Sequence, residues 1–167
     1  MKPFIIVSGI KDINQARQLA AMGVTGIGLI FHGENALHPE QAREIALEMP
    51  PLVSKIGFFK DEPWYNVSEI ASLCKLEVLA FEGSEDKAYT NKFSEHILTY
   101  QTSLEGDKRG YIVLDIANND QEADLERVIL RCKPDPDQFR QALNLVPYGI
   151  ELRMNCANDF SKLVSLL

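Results

Sequence analysis

Phe4-Ile5-Ile6-Val7-Ser8-Gly9-Ile10 opens the chain with apolar, mostly β-branched residues that do not alternate with polar ones. A strand buried on both faces, as in a parallel sheet, has this pattern. Gly9 supplies a turn and Asp12 a cap for a helix. Ile13, Ala16, Leu19, Ala20 and Met22 then recur at helical spacing until Gly23 stops the run. The unit of buried strand, turn and amphipathic helix repeats from there. Residues 26–31 read as a second strand and 39–49 as a second helix with proline in its first turn. Residues 55–59 come next as a third strand and 63–73 as a third helix.

The second half keeps the alternation but thins the helices. Residues 77–81 read as strand four, and Ser84, Glu85 and Asp86 begin a more polar helix. Residues 97–101 and 111–114 read as strands five and six, and the segment between them is too short and polar for a helix. Residues 118–125 leave room only for a stunted helix six. Strands at 128–131 and 150–153 alternate with helices at 136–145 and 159–166. Eight such units predict one domain over residues 1–167, a (β/α)8 barrel reduced by a missing helix five and a shortened helix six. An open doubly wound sheet is the competing arrangement, because barrels typically need about 250 residues. In a barrel the chemistry sits on the loops after the strands, which puts Ser8 among the candidate positions.

With 46% hydrophobic and 25% charged residues, the composition is that of a globular domain. A net charge of -7 argues against nonspecific nucleic-acid binding or docking on an anionic membrane, which need a cationic face. No apolar stretch approaches the roughly 18 residues of a membrane span, and the start resembles no signal peptide, so a cytoplasmic location is expected. The cysteines Cys74, Cys132 and Cys156 have neither CxxC nor CxxH spacing. They predict reduced, mainly buried thiols, with no metal site and no cofactor.

Several stretches resemble the phosphoribosylanthranilate isomerase family of tryptophan biosynthesis. Ile6-Val7-Ser8-Gly9-Ile10 stands against the family's K-I-C-G-I, and Gly28-Leu29-Ile30-Phe31 against G-F-x-F. His38-Pro39-Glu40-Gln41-Ala42 is similar to S-P-E-Q-A. The run from Pro50-Pro51 to Phe58-Phe59 is similar to P-P-x-V-x-K-V-G-V-F. Leu79-Ala80-Phe81-Glu82-Gly83 matches V-Q-L-H-G, and Val113-Leu114-Asp115 matches L-L-D. Residues 134–139 match L-N-P-E-N-V loosely, and Pro147-Tyr148-Gly149-Ile150-Glu151-Leu152 matches P-Y-G-V-D-V. These are largely scaffold positions. The resemblance implies the barrel and, as a reaction, Amadori isomerisation of an aminoaldose phosphate to an aminoketose.

At the active positions the same resemblance implies an impaired enzyme. The family's strand-one cysteine, its general base, is Ser8 here, and a serine hydroxyl needs a partner base that the sequence does not reveal. The strand-six aspartate, its general acid, is kept as Asp115. Glu82 replaces the histidine of V-Q-L-H-G. The loop from His32 to Leu37 lacks the arginine that clamps the anthranilate carboxylate and carries Glu34 instead. The phosphate-cradling A-G-G and S-S-G become Arg131-Cys132-Lys133 and Arg153-Met154-Asn155, too bulky for close backbone approach.

The candidate catalytic residues are therefore Asp115, with Ser8 or Glu82 as substitute base, and the candidate anion ligands are Arg131, Arg153 and His32. Arg131 and Arg153 carry two open readings: they bind an anion such as a sugar phosphate, or they neutralise Glu82 and Asp115 in an ion-pair network. A carboxylate pair of Glu82 with Asp115 doing acid–base work is a third. A non-catalytic barrel binding an anionic metabolite or a protein is the alternative to the enzyme, and a missing helix five would favour a homodimer through that side.

Overall fold

The structure is a computed structural model describing residues 2–101, 110–118, 125–156 and 158–167. Eight parallel strands close on themselves in sequence order, each hydrogen-bonded to the next and the last to the first. They are β1 (Phe4–Ser8), β2 (Gly26–Ile30), β3 (Ser54–Phe59), β4 (Val78–Phe81), β5 (Ile97–Tyr100), β6 (Gly110–Asp115), β7 (Val128–Cys132) and β8 (Gly149–Arg153). The open doubly wound alternative is excluded by the β1–β8 pairing, which runs from Phe4 beside Gly149 to Ser8 beside Arg153.

The helices are α1 (Ile13–Ala21), α2 (Pro39–Leu47), α3 (Trp64–Cys74), α4 (Lys87–Thr90), α5 (Pro136–Leu145) and α6 (Asp159–Leu166). The sequence explains their ends. Asp12 accepts hydrogen bonds from the Asn14 and Gln15 amides, and Asp135 does the same for Asp137 and Gln138. Asp86 caps α4, which lasts one turn before a 3-10 turn at Asn91–Phe93. The fourth helix is thus shorter than the run of polar residues suggested. The expected gap at helix five falls on residues 102–109, outside the described residues. The stunted helix six falls largely on residues 119–124, also outside them, between 3-10 turns at Ile116–Asn118 and Leu125–Arg127.

Side chains alternate between two cores. Val7, Ile27, Leu29, Phe59, Leu79, Leu130, Ile150 and Leu152 point outward under the helices. Ile6, Ile56, Phe58, Val78, Ala80, Val113 and Ile129 fill the barrel interior. This apolar plug ends one layer below the C-terminal rim. Above it the inward positions turn polar: Ser8, Glu82, Arg131 and Glu151 are all buried. Gly28 is required at this level, since a Cβ there would lie 2.5 Å from Ser8 Cβ and 2.6 Å from the Phe58 ring.

Candidate active site

Strand register assembles the mouth. Asp115, Arg131 and Glu151 lie side by side across β6, β7 and β8, and Arg153 lies beside Ser8 across the closing pair. In-register neighbours share a face, so all five belong to the inner face of the rim. Glu82 comes directly after β4 and enters from the opposite wall.

Two carboxylates and two guanidinium groups meet there. Glu82 Oε1 accepts from Arg131 Nη2 at 2.5 Å and Arg153 Nη2 at 2.6 Å, and Oε2 accepts from Arg153 Nη1 at 3.1 Å. Glu151 takes Arg131 Nε and Arg153 Nε, both at 2.9 Å, and the Ser8 hydroxyl at 2.5 Å. His32 Nε2 lies 2.6 Å from Glu82 Oε2. Arg153 also stacks on Phe58, 4.7 Å from the ring centroid, so its flat face is dry while its edges are paired.

Burial dictates this arrangement. Glu151 is 1% exposed, and a lone carboxylate there would cost several kcal/mol, on the order of the penalty for any uncompensated buried ion. Burial alone would push the Glu82 carboxyl up. The Arg153 hydrogen bond, the Arg131 and Arg153 charges and the His32 hydrogen bond outweigh it and hold Glu82 below the ordinary carboxylate range. Burial likewise works against the Arg153 charge, and Glu151 and Glu82 more than restore it, lifting the guanidinium above its usual value.

The ion-pair reading of the arginines holds for Glu82 and needs correction for Asp115. The second acid is Glu151. Asp115 is exposed at the end of β6 and has no ion pair or hydrogen bond among the described residues. The reason is depth: Arg131 turns inward, where Glu151 has no water, and Asp115 stays hydrated at the rim. Glu82 and Asp115 therefore form no carboxylate pair, since Glu82 is fully engaged by the arginines. Ser8 has the acceptor the sequence did not reveal, but it is 0% exposed and Glu151 is already bound by two guanidinium groups. Sequence reasoning missed Glu151 because it lies within a scaffold motif. Its signal was a charge between Ile150 and Leu152 in a strand buried on both sides.

Two cavities flank the cluster. One of about 600 Å3 lies between the loops after β1, β2 and β8, against Lys11, Ile30, His32, Glu34, Arg153 and Phe160. The other, about 270 Å3, lies toward β6 and β7 against Asp115, Arg131, Lys133 and Arg153. Arg153 and Asn155 border both. Among the described residues no group of His, Cys, Asp and Glu is arranged to hold a metal ion, and no helix is long and apolar enough to cross a membrane. Cys74 and Cys132 are buried, as expected, whereas Cys156 is exposed beside the larger cavity. Burial, helped by Glu151 and Asp115, pushes the Cys132 thiol up to about 12.

Over 93 residues the chain is 38% identical to the N-(5'-phosphoribosyl)anthranilate isomerase of Moorella thermoacetica, and over 86 residues 38% identical to that of Desulfitobacterium hafniense. Over about half of its length the chain is thus similar to curated phosphoribosylanthranilate isomerases. The first match takes in 55% of the chain and 42% of the relative, so it spans less than half the length of that curated protein. In fold, the phosphoribosylanthranilate isomerase of Thermotoga maritima superimposes with a TM-score of 0.81 at 20% identity, covering 99% of this chain and 98% of that one. The Thermus thermophilus enzyme gives 0.75 at 21%, covering both chains fully. A family structure in complex with reduced 1-(o-carboxyphenylamino)-1-deoxyribulose 5-phosphate gives 0.77 at 20%, covering 99% of this chain and 97% of that one. No protein-family model matches the chain.

Proposed function

We propose that this chain is a phosphoribosylanthranilate isomerase-like barrel impaired for the Amadori rearrangement of N-(5'-phosphoribosyl)anthranilate. One observation carries the reading: the carboxylates and the hydroxyl deep in the mouth are already engaged within the ion-pair cluster. Glu82 and Glu151 are each held by both arginines, and the hydroxyl at the position of the family's base is buried on Glu151. A carboxylate holding two guanidinium groups is a poor proton acceptor. Asp115 remains able to act as the acid, with nothing opposite it at the base position to complete the family's route.

The test is consumption of phosphoribosylanthranilate by the purified protein. Turnover at a rate typical of enzymes, abolished in Asp115→Asn, would overturn the proposal. The cavities favour a second reading, a barrel that binds a small anionic metabolite such as a sugar phosphate, with Arg131, Arg153 and His32 lining its path. Binding raises the melting temperature. If phosphate, sulfate and ribose 5-phosphate all leave it unchanged, that second reading falls. A homodimer belongs to the same proposal, and light scattering on the purified protein decides it.

A further inference from the structure

We infer that His32 is the proton-accepting group of the rebuilt mouth and that Glu82 is its positioning residue, not itself a base. The inference rests on the reading of this mouth as altered from the family's and adds a base where none was evident. Of the candidates at the rim, His32 alone combines access with an open nitrogen. Its side chain is 24% exposed, it borders the 600 Å3 cavity, and its Nε2 is tied to Glu82 at 2.6 Å.

The ring's orientation is set by the charges around it. Glu82 is kept ionised by Arg131 and Arg153, so its oxygen accepts a hydrogen bond and Nε2 must carry the proton. The neutral ring then has its lone pair on Nδ1, which has no partner among the described residues. A carboxylate fixing one nitrogen so that the other accepts a proton is a general device of acid–base sites. The other charged groups bordering the same cavity are Arg153 from β8, Lys11 and Asp12 from the loop after β1, and Glu34 from its own loop. Lys11 is engaged by the Asn35 amide oxygen, and one Asp12 oxygen caps α1.

The substrate class is a small carbonyl or iminium compound with a hydroxyl or amino group on the adjacent carbon. Nδ1 takes the proton from that carbon, and the C–H electron pair becomes the new C=C bond. The former C=O or C=N π pair moves to its oxygen or nitrogen, giving an enediol-type or enaminol-type intermediate. The imidazolium faces Glu82; returning its proton to the neighbouring carbon, while the hydroxyl or amino proton on the first carbon passes to the former carbonyl oxygen or imine nitrogen, completes the isomerisation and regenerates the neutral ring. Arg153 uses Nε, one Nη1 and one Nη2 hydrogen on Ser8, Glu151 and Glu82, so two of its five N–H groups remain to face the developing oxyanion.

The probe is ribulose 5-phosphate in D2O, with loss of its C1 proton signal monitored by NMR. Wild type exchanges it faster than buffer, and His32→Gln loses about 100-fold or more. In His32→Gly added imidazole restores the rate, and the rate lost in Glu82→Gln is partly recovered in Glu82→Asp. A wild-type rate equal to buffer, or His32→Gln as fast as wild type, overturns the inference. So does a ring that carries its proton on Nδ1 in the nitrogen NMR spectrum of the unaltered protein, a measurement that needs no variant. Phosphoribosylanthranilate turnover tests the proposed impairment separately and leaves this exchange result standing.

Discussion

Removing the Glu151 carboxylate is the severest single change the mouth admits. Glu151→Ala leaves Arg131 and Arg153 to share Glu82 and strips Ser8 of its acceptor, all at positions with side chains 15% exposed or less. Breaking a buried ion pair from one side costs about 3–5 kcal/mol. The lower end applies, because Arg153 borders both cavities and water entering through the mouth can solvate it. A loss of about 3 kcal/mol lowers the melting temperature of a chain this size by roughly 6–12 °C. Differential scanning calorimetry measures it directly. Asp115→Ala is the matched control: exposed and without a partner among the described residues, it should change stability by no more than about 0.5 kcal/mol. If Glu151→Ala melts within about 2 °C of wild type, or if Asp115→Ala is the more damaging change, the cluster is not organised by Glu151 and the reasoning fails.

Acid unfolding should report Glu82. Its folded value lies below the ordinary 4.5, so its contribution is fully present above that value and is lost as pH falls through the lower folded one. In Glu82→Gln the stability curve measured by urea titration should therefore be flatter below pH 4.5 than in wild type. Gly28→Ala drives a methyl into Ser8 and Phe58 and should cost about 1–3 kcal/mol by overpacking, read as a lower urea midpoint. Among the thiols, burial holds Cys74 at about 11 and Cys132 at about 12. A disulfide reagent at pH 8 should therefore label Cys156 alone in the native protein and all three cysteines after unfolding.

The barrel was legible because its strands are short apolar runs bounded by punctuation. Val7, Ile27, Phe59 and Leu79 each sit in a run flanked by glycine, proline or a capping acid, and the strand bounds observed there differ from those expected by no more than one residue. The fourth helix was less legible. Ser84 and Glu85 read as its beginning, but the Glu85 carboxylate instead binds the amides of Asp61 and Gly83, tying the loops after β3 and β4. Side chains that bond to backbone across loops leave no periodic trace, so propensity alone extended the helix too far.

The site was legible in its members and not in its pairings. Arg131, Arg153 and Glu82 were found because each interrupts a family motif at the end of a strand. What joins them depends on depth, which sequence expresses only through alternation. Asp115 and Glu151 both flank Arg131 in register, yet Asp115 ends its strand and Glu151 lies within one. One layer of the barrel separates a carboxylate that water can satisfy from one that only guanidinium groups can. The arginines answer the greater need: a buried acid left alone costs far more than an exposed one, so the guanidinium groups turn inward and the rim acid stays open. Of the two carboxylates beside Arg131, the one two residues before its strand end, Glu151, is therefore paired, while Asp115 at the last position of β6 stays exposed.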